Sequence, residues 1–114
     1  MSMNEDKVVV VFVTTPQGKG KEIVLKLLEK RLIACANIVN ATSTYWWKNK
    51  IEEAEEELLI MKTTRRCIDK LMDEIKKIHP YEVPEILVLD VIKADTSYAE
   101  WVMNEVECKT ITVS

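Results

Sequence analysis

An α+β domain is predicted by three observations. Strand-like and helix-like segments alternate along the chain. Two long β-rich stretches in its middle are separated only by a short polar turn. The two longer helical stretches are each amphipathic on one stripe. In order, the segments read β-α-β-β-α-β-α, and a split β-α-β sheet of the ferredoxin-like type fits that order best.

Each element has its own justification. Val8 to Val13 (VVVVFV) is an unbroken apolar run rich in β-branched residues, which predicts a buried strand. Thr15-Pro16 follows and suits an N-cap with proline at the first helical position. Ile23, Val24, Leu27, Leu28 and Leu32 then recur at helical spacing opposite Lys21, Glu22, Lys26, Glu29 and Lys30, giving the first helix. Ile33 to Trp47 is rich in Ile, Val, Thr, Tyr and Trp and reads as a long strand. Lys48-Asn49-Lys50 is the turn, with Asn49 as its left-handed residue, and Ile51 to Thr63 is the return strand. Thr63 or Thr64 caps a second helix whose apolar face is Ile68, Leu71, Met72, Ile75 and Ile78. Pro80 disfavours helical geometry at His79 and stops it there. Glu85 to Ile92 is the fourth strand. Ser97-Tyr98-Ala99-Glu100 has the form of a capping box, and Tyr98, Trp101, Val102 and Val106 form the inner face of a third helix.

Two features exceed what a monomer accounts for. The first and fourth strands show little polar alternation, so both of their faces call for cover, while two helices supply one face. The hairpin arms, at ~3.3 Å per residue, reach roughly 50 Å against roughly 20 Å for the first strand. Tyr45, Trp46 and Trp47 near the tip form an aromatic cluster of the kind enriched at interfaces. A homo-oligomer packed through hairpins and sheet faces satisfies both features. The alternative is a third helix over the open face and a loose hairpin arm.

The chain has 114 residues, 47% hydrophobic and 31% charged, with a net charge of −3. That describes one domain over 1–114, with 1–6 expected to be disordered and 108–114 a tail. With two glycines, Gly18 and Gly20, it contains neither a dinucleotide-binding nor a P-loop glycine motif. One histidine, His79, excludes a multi-histidine metal centre within a single chain. Sixteen Lys+Arg against nineteen Asp+Glu leave no basic stripe for nucleic acid. No apolar stretch approaches a membrane span, the N-terminus does not read as a signal peptide, and the three cysteines are odd in number and form no C-x-x-C. A reduced, cytoplasmic setting is expected.

Chemistry concentrates in His79-Pro80-Tyr81-Glu82-Val83-Pro84-Glu85. Two prolines stiffen a connection that carries an imidazole and two carboxylates, a donor set suited to copper, zinc or nickel. The same segment also fits an ordinary helix C-terminus with solvated glutamates. The run Glu52-Glu53-Ala54-Glu55-Glu56-Glu57 suits either a hard cation or a solvated strand that resists edge aggregation. Cys67, near a helix N-terminus beside Arg65 and Arg66, is placed to favour a thiolate, but about 18 Å of helix separates it from His79. Lys62 ends an apolar strand beside Thr63 and Thr64, where it either receives an anion or reaches solvent.

Several segments together resemble the CutA family, the divalent-cation tolerance proteins. They are Leu32-Ile33-Ala34-Cys35-Ala36-Asn37-Ile38, Ser43-x-Tyr45-x-Trp47-x-x-x-Ile51, Glu56 with Ile60-x-Lys62-Thr63, the His79 to Glu85 segment, and Tyr98 with Trp101. The resemblance implies a ferredoxin-like subunit in a tight homotrimer like the PII-type signalling trimers, with clefts between subunits and no enzymatic reaction. It implies that His79 and Glu85 hold copper and that Lys62, Tyr45 and Trp47 line the cleft; from the residues themselves, Glu82 is added as a helper ligand and Tyr81 as a further cleft residue. Val13 stands where a bacterial relative has a proposed cysteine ligand, so affinity for soft Cu(I) is expected to fall and Cu(II), zinc or nickel to become comparable candidates. The expected partners are other copies of the chain and divalent metal ions. The runner-up function is a PII-like regulatory module that takes a small anionic ligand in the cleft against Lys62.

Overall fold

The computed structural model describes residues 7–108. Its elements are β1 (Val8–Pro16), α1 (Gly20–Glu29), β2 (Cys35–Trp47), β3 (Lys50–Thr64), a 3₁₀ turn (Arg65–Cys67), α2 (Ile68–Ile78), β4 (Ile86–Asp90) and α3 (Thr96–Glu105). The sheet order is β2-β3-β1-β4 and all three ladders are antiparallel, the ferredoxin-like arrangement that the element order predicts. The expectations for 1–6 and for the tail past 108 lie outside the described residues.

Alternation along the strands separates the two sheet faces. Val9, Val11 and Val13 of β1 and Leu59 and Met61 of β3 join Ile23, Val24 and Leu27 of α1 and Leu71 and Ile75 of α2 in the core. A fully buried leucine such as Leu27 contributes about 1.5–3 kcal/mol. The opposite face carries Phe12 between Ile60 and Leu87, and Val10 between Lys62 and Leu89. The third helix packs across β1 and β3 and buries Val102, while Leu87 remains 54% exposed. The two-face demand of the sequence is therefore met on the helical side and left largely open on the other.

The hairpin outruns the sheet. Its ladder extends from Cys35↔Lys62 to Trp47↔Lys50, but β1 pairs only with 56–64. The outer arm is thus a two-stranded ribbon, and the molecule measures 49 × 32 × 25 Å. At its tip, Lys48 (φ 48°) and Asn49 (φ 64°) are both left-handed, whereas Asn49 alone was expected to be so. Two such residues match the strand twist in a two-residue hairpin loop.

Several boundaries differ from expectation. The strand continues through Thr15 and Pro16, so these do not open α1. Gly18 (φ 87°) makes the turn, Lys19 N–H returns to Pro16 O at 3.1 Å, and the helix begins at Gly20. Thr64 precedes the 3₁₀ turn in extended geometry, but its hydroxyl donates to Cys67 Sγ and accepts no capping bond from a backbone N–H. β4 is shorter than Glu85 to Ile92. Asp95, not Ser97, caps α3: its Oδ2 accepts from Tyr98 N–H at 3.1 Å. Tyr98 and Trp101 lie at the rim against one another, ring centroids 5.7 Å apart, and are not the inner face.

The cysteine reading is corrected. Cys67 and Cys108 form a disulfide with Cα atoms 5.2 Å apart, leaving Cys35 as the free thiol. A sequence separation of 41 hid the pairing, which arises when the chain leaves α3 and Glu107 N–H bonds Arg31 O at 2.9 Å. Closing a loop of that length in the unfolded chain is worth about 4 kcal/mol.

Candidate functional site

β4 ends its pairing with β1 at Val13↔Ile86, so Thr14 to Pro16 have a vacant side. The connection from α2 to β4 folds over that vacancy. Pro80 forces His79 into extended geometry (φ −77°, ψ 136°), and this turns the ring toward β1. His79 Nε2 lies 2.8 Å from Thr14 O. A carbonyl only accepts, so Nε2 carries the proton. Nδ1 in turn accepts from Tyr81 N–H at 3.0 Å. Both nitrogens of the buried imidazole are therefore in use.

The same turn delivers the Tyr81 side chain. Its hydroxyl donates to Glu56 Oε2 at 2.8 Å, and its ring lies 4.9 Å from that of His79. Glu56 is buried on β3. Burial first, and then the bond to the Glu56 carboxylate, pushes the Tyr81 phenol up to about 12. A chain of hydrogen bonds thus runs from Glu56 through Tyr81 and His79 to Thr14 and joins the connection to the sheet.

A cleft of about 650 Å³ opens beside this chain of bonds. Tyr45 and Trp47 from the hairpin form one wall; Tyr81, Glu82 and Glu85 form the other, with the buried Glu56 also lining the cleft. No lysine or arginine lines it, so its three carboxylates give the cleft a negative potential.

The expected site residues separate into three groups. Tyr45, Trp47, Tyr81, Glu82 and Glu85 share the cleft. His79 lies behind it, held by Thr14 and Tyr81. Lys62 is six residues beyond Glu56 on β3, roughly 20 Å away. There it bonds Asn37 Oδ1 and, at 3.3 Å, Ile60 O. One chain does not bring Lys62 to the cleft.

The acidic run is not a uniformly solvated strand. Thr42 Oγ1–H donates to Glu55 at 2.8 Å, Glu56 takes Tyr81, and Glu57 accepts from Gly20 N–H. Sequence reasoning missed the roles of Glu56, Glu57 and Thr14. Strand parity from Leu59 separates Glu56 from Glu57 by face, but like residues in a row offer no contrast that marks their partners.

Among the described residues no group of three or more His, Cys, Asp and Glu is arranged to hold a metal ion. With both imidazole nitrogens occupied, a single chain does not present a complete chelate of His79, Glu82 and Glu85. The expectation of a free thiolate at Cys67 is also overturned, because Cys67 is bonded to Cys108. Cys35 is elsewhere, 3.4 Å from Tyr98 OH. That hydrogen bond first, and then burial, pushes the Tyr98 phenol up to about 12. No helix among the described residues is long and apolar enough to cross a membrane.

Residues 9–105 match the sequence model of a family described as CutA1 divalent ion tolerance protein. The divalent-cation tolerance protein CutA of Pyrococcus horikoshii is 41% identical over 98 residues, 85% of this chain and 96% of that protein. The rice and human CutA proteins, 39% and 43% identical, are longer, and this chain spans 55% of each. Among solved structures, the periplasmic divalent cation tolerance protein CutA of Archaeoglobus fulgidus has a TM-score of 0.85 at 33% identity, covering 88% of this chain and 99% of its own. The PII-like protein CutA of Nostoc sp. PCC 7120 has a TM-score of 0.85 at 29% identity, covering 89% and 99%.

Proposed function

The chain belongs to the CutA1 divalent ion tolerance family, and on that premise we propose that it acts without catalysis, as a homotrimer that binds divalent cations weakly at its acidic cleft. One observation carries this reading. Glu56, Glu82 and Glu85 line a cleft without basic residues, beside the chain's single histidine. In the proposal Glu85 and Glu82 supply carboxylate oxygen, and His79 is the nitrogen donor. Because His79 must give up one of its two hydrogen bonds to serve, affinity is modest. The donor set suits Cu(II), zinc or nickel. Trimer formation is supported by the uncovered apolar sheet face and by the outer hairpin, where Trp46 is 73% and Ile51 63% exposed. Calorimetric titration of Cu(II), Zn(II) and Ni(II) into the wild type, Glu85→Gln, Glu82→Gln and His79→Ala tests the assignment. Equal binding by all four proteins sinks it.

A second reading, a regulatory module for a small anionic ligand, is favoured by the aromatic walls Tyr45, Trp47 and Tyr81 and by likeness to a structure described as PII-like. It requires Lys62 of a neighbouring copy to enter the cleft and offset its carboxylates. Stabilisation by metabolites in a thermal-shift screen, lost in Lys62→Ala, supports it over the cation reading.

The cytoplasm is the proposed location. The Cys67–Cys108 bond and the Archaeoglobus fulgidus protein described as periplasmic favour an oxidising compartment instead, and cell fractionation decides between the two.

A further inference from the structure

The bond between Cys67 and Cys108 has no part in the proposed cation chemistry. Its two sulfurs sit in unlike surroundings. Cys67 is fully buried at the N-cap of α2, at the positive end of the helix dipole, where a thiolate is stabilised. Thr64 Oγ1–H donates to the same sulfur at 3.6 Å, a bond that strengthens when the acceptor is charged. Cys108, 5% exposed, follows α3 and is the more accessible partner. Cys67 is therefore the better leaving group and Cys108 the sulfur to attack.

The cross-link also ties down an element that has few other anchors. Of the residues in α3 only Val102 is buried. The segment after it is held through Arg31, a left-handed residue (φ 58°) whose carbonyl accepts from Glu107 N–H. The Arg31 guanidinium donates to Glu105 O at 3.2 Å and to Glu105 Oε2 at 2.9 Å, both exposed contacts. Exposed ion pairs of this kind contribute little. Tyr98 OH reaches Cys35 on the open sheet face, so α3 spans from that face to the disulfide.

We propose that Cys67–Cys108 is a redox-operated clasp: a dithiol reductant opens it and frees the C-terminal end of α3 from the core, and the oxidised form of the same class of reagent closes it. In opening, a thiolate of the reductant attacks Cys108 Sγ, the S–S bond breaks, and its electron pair leaves with Cys67 Sγ. The reductant's second thiol, as thiolate, attacks the mixed disulfide. Cys108 Sγ departs with the electron pair and takes a proton from solvent, and the reductant ends as a disulfide. Two electrons have passed to the protein, and closure returns them. With the clasp open, α3 and the segment after it rely on Val102, on Val106 against the core, and on the Tyr98–Cys35 and Arg31 contacts.

The test uses the full chain, purified without reductant and equilibrated against mixtures of reduced and oxidised dithiothreitol. Thiols are alkylated after denaturation and counted by mass, and hydrogen exchange is followed in parallel. The oxidised protein is expected to take one alkyl group, at Cys35, and the reduced protein three, in keeping with the three cysteines of the chain. The midpoint is expected to be reached while the sheet remains folded. Reduction is expected to speed exchange in α3 by about tenfold or more while β3 is unchanged. Cys108→Ser is expected to show the fast pattern in every redox mixture. If that variant does not fold, the titration of the wild type decides alone. Three reactive thiols in the protein purified without reductant, a bond that yields only on global unfolding, or α3 exchange indifferent to reduction each overturns the proposal.

Discussion

Gly20 N–H donates to Glu57 Oε1 at 2.8 Å, so a carboxylate on β3 caps the first turn of α1 from 37 residues away. Lys19, at the N-cap, makes no side-chain capping bond. The carboxylate satisfies an orphan donor and also faces the positive end of the helix. It also fixes the residue type at position 20. A Cβ there would sit 2.6 Å from Glu57 Oε1 and 2.9 Å from Leu59 Cδ2.

Gly20→Ala is accordingly expected to destabilise the protein by about 1–3 kcal/mol through overpacking. Glu57→Ala should cost about 1 kcal/mol through loss of the cap. Urea unfolding of both variants and of the double variant checks this. The double variant should lose less than the sum, because removing the Glu57 carboxylate relieves part of the Gly20→Ala clash.

The hairpin tip places two non-glycine residues at positive φ. Replacing Lys48-Asn49 by Asn-Gly should stabilise the hairpin by about 0.5–1 kcal/mol, since both new residues adopt the left-handed geometry more readily. Asn49→Val should act in the opposite direction. Thermal unfolding at fixed protein concentration reads both effects.

His79 has a structural role separable from any metal. His79→Ala leaves the Thr14 carbonyl and the Tyr81 N–H without their partner, and should cost about 1–3 kcal/mol in metal-free buffer containing a chelator. A His79→Ala protein as stable as the wild type under those conditions contradicts the hydrogen-bond assignment.

Tyr81 and Tyr98 are both raised from 10.0 to about 12. The folded state holds these protons more tightly than the unfolded state does. Their contribution to stability is therefore complete below pH 10 and is lost as the pH rises toward about 12. Denaturant midpoints should fall over that window, and Tyr81→Phe or Tyr98→Phe should each flatten the fall. Ultraviolet titration should show the phenolate of each appearing near 12, with the Phe variants identifying which is which.

Most of the fold was legible in local pattern. The 3.6-residue stripe of Ile68, Leu71, Met72, Ile75 and Ile78 and the β-branched run from Val8 produce their elements because each satisfies its own backbone while presenting one apolar surface. Pro80 ended α2 where a proline must. Boundaries failed where a distant group supplied the cap. Thr15-Pro16 has the form of a helix start, yet β3 offers Pro16 a pairing partner in Glu56 and offers Gly20 a cap in Glu57.

The candidate site was legible as a segment but not as an arrangement. His79, Tyr81, Glu82 and Glu85 are near neighbours in sequence, so a stiff connection keeps them together whatever surrounds it. Glu56 joins them only because β3 passes beneath Tyr81, and Thr14 only because β4 stops one residue short of it.

The sequence by itself determined the order of the elements, the hydrophobic faces and the stretch of chain where chemistry gathers, since all three follow from short-range spacing. Only the tertiary structure decided which nitrogen of His79 carries a proton, where Lys62 lies relative to the cleft, and that Cys67 meets Cys108. Those outcomes depend on groups far apart in sequence reaching within a few ångströms, and a bond between them forms only after the sheet and helices have set the distance.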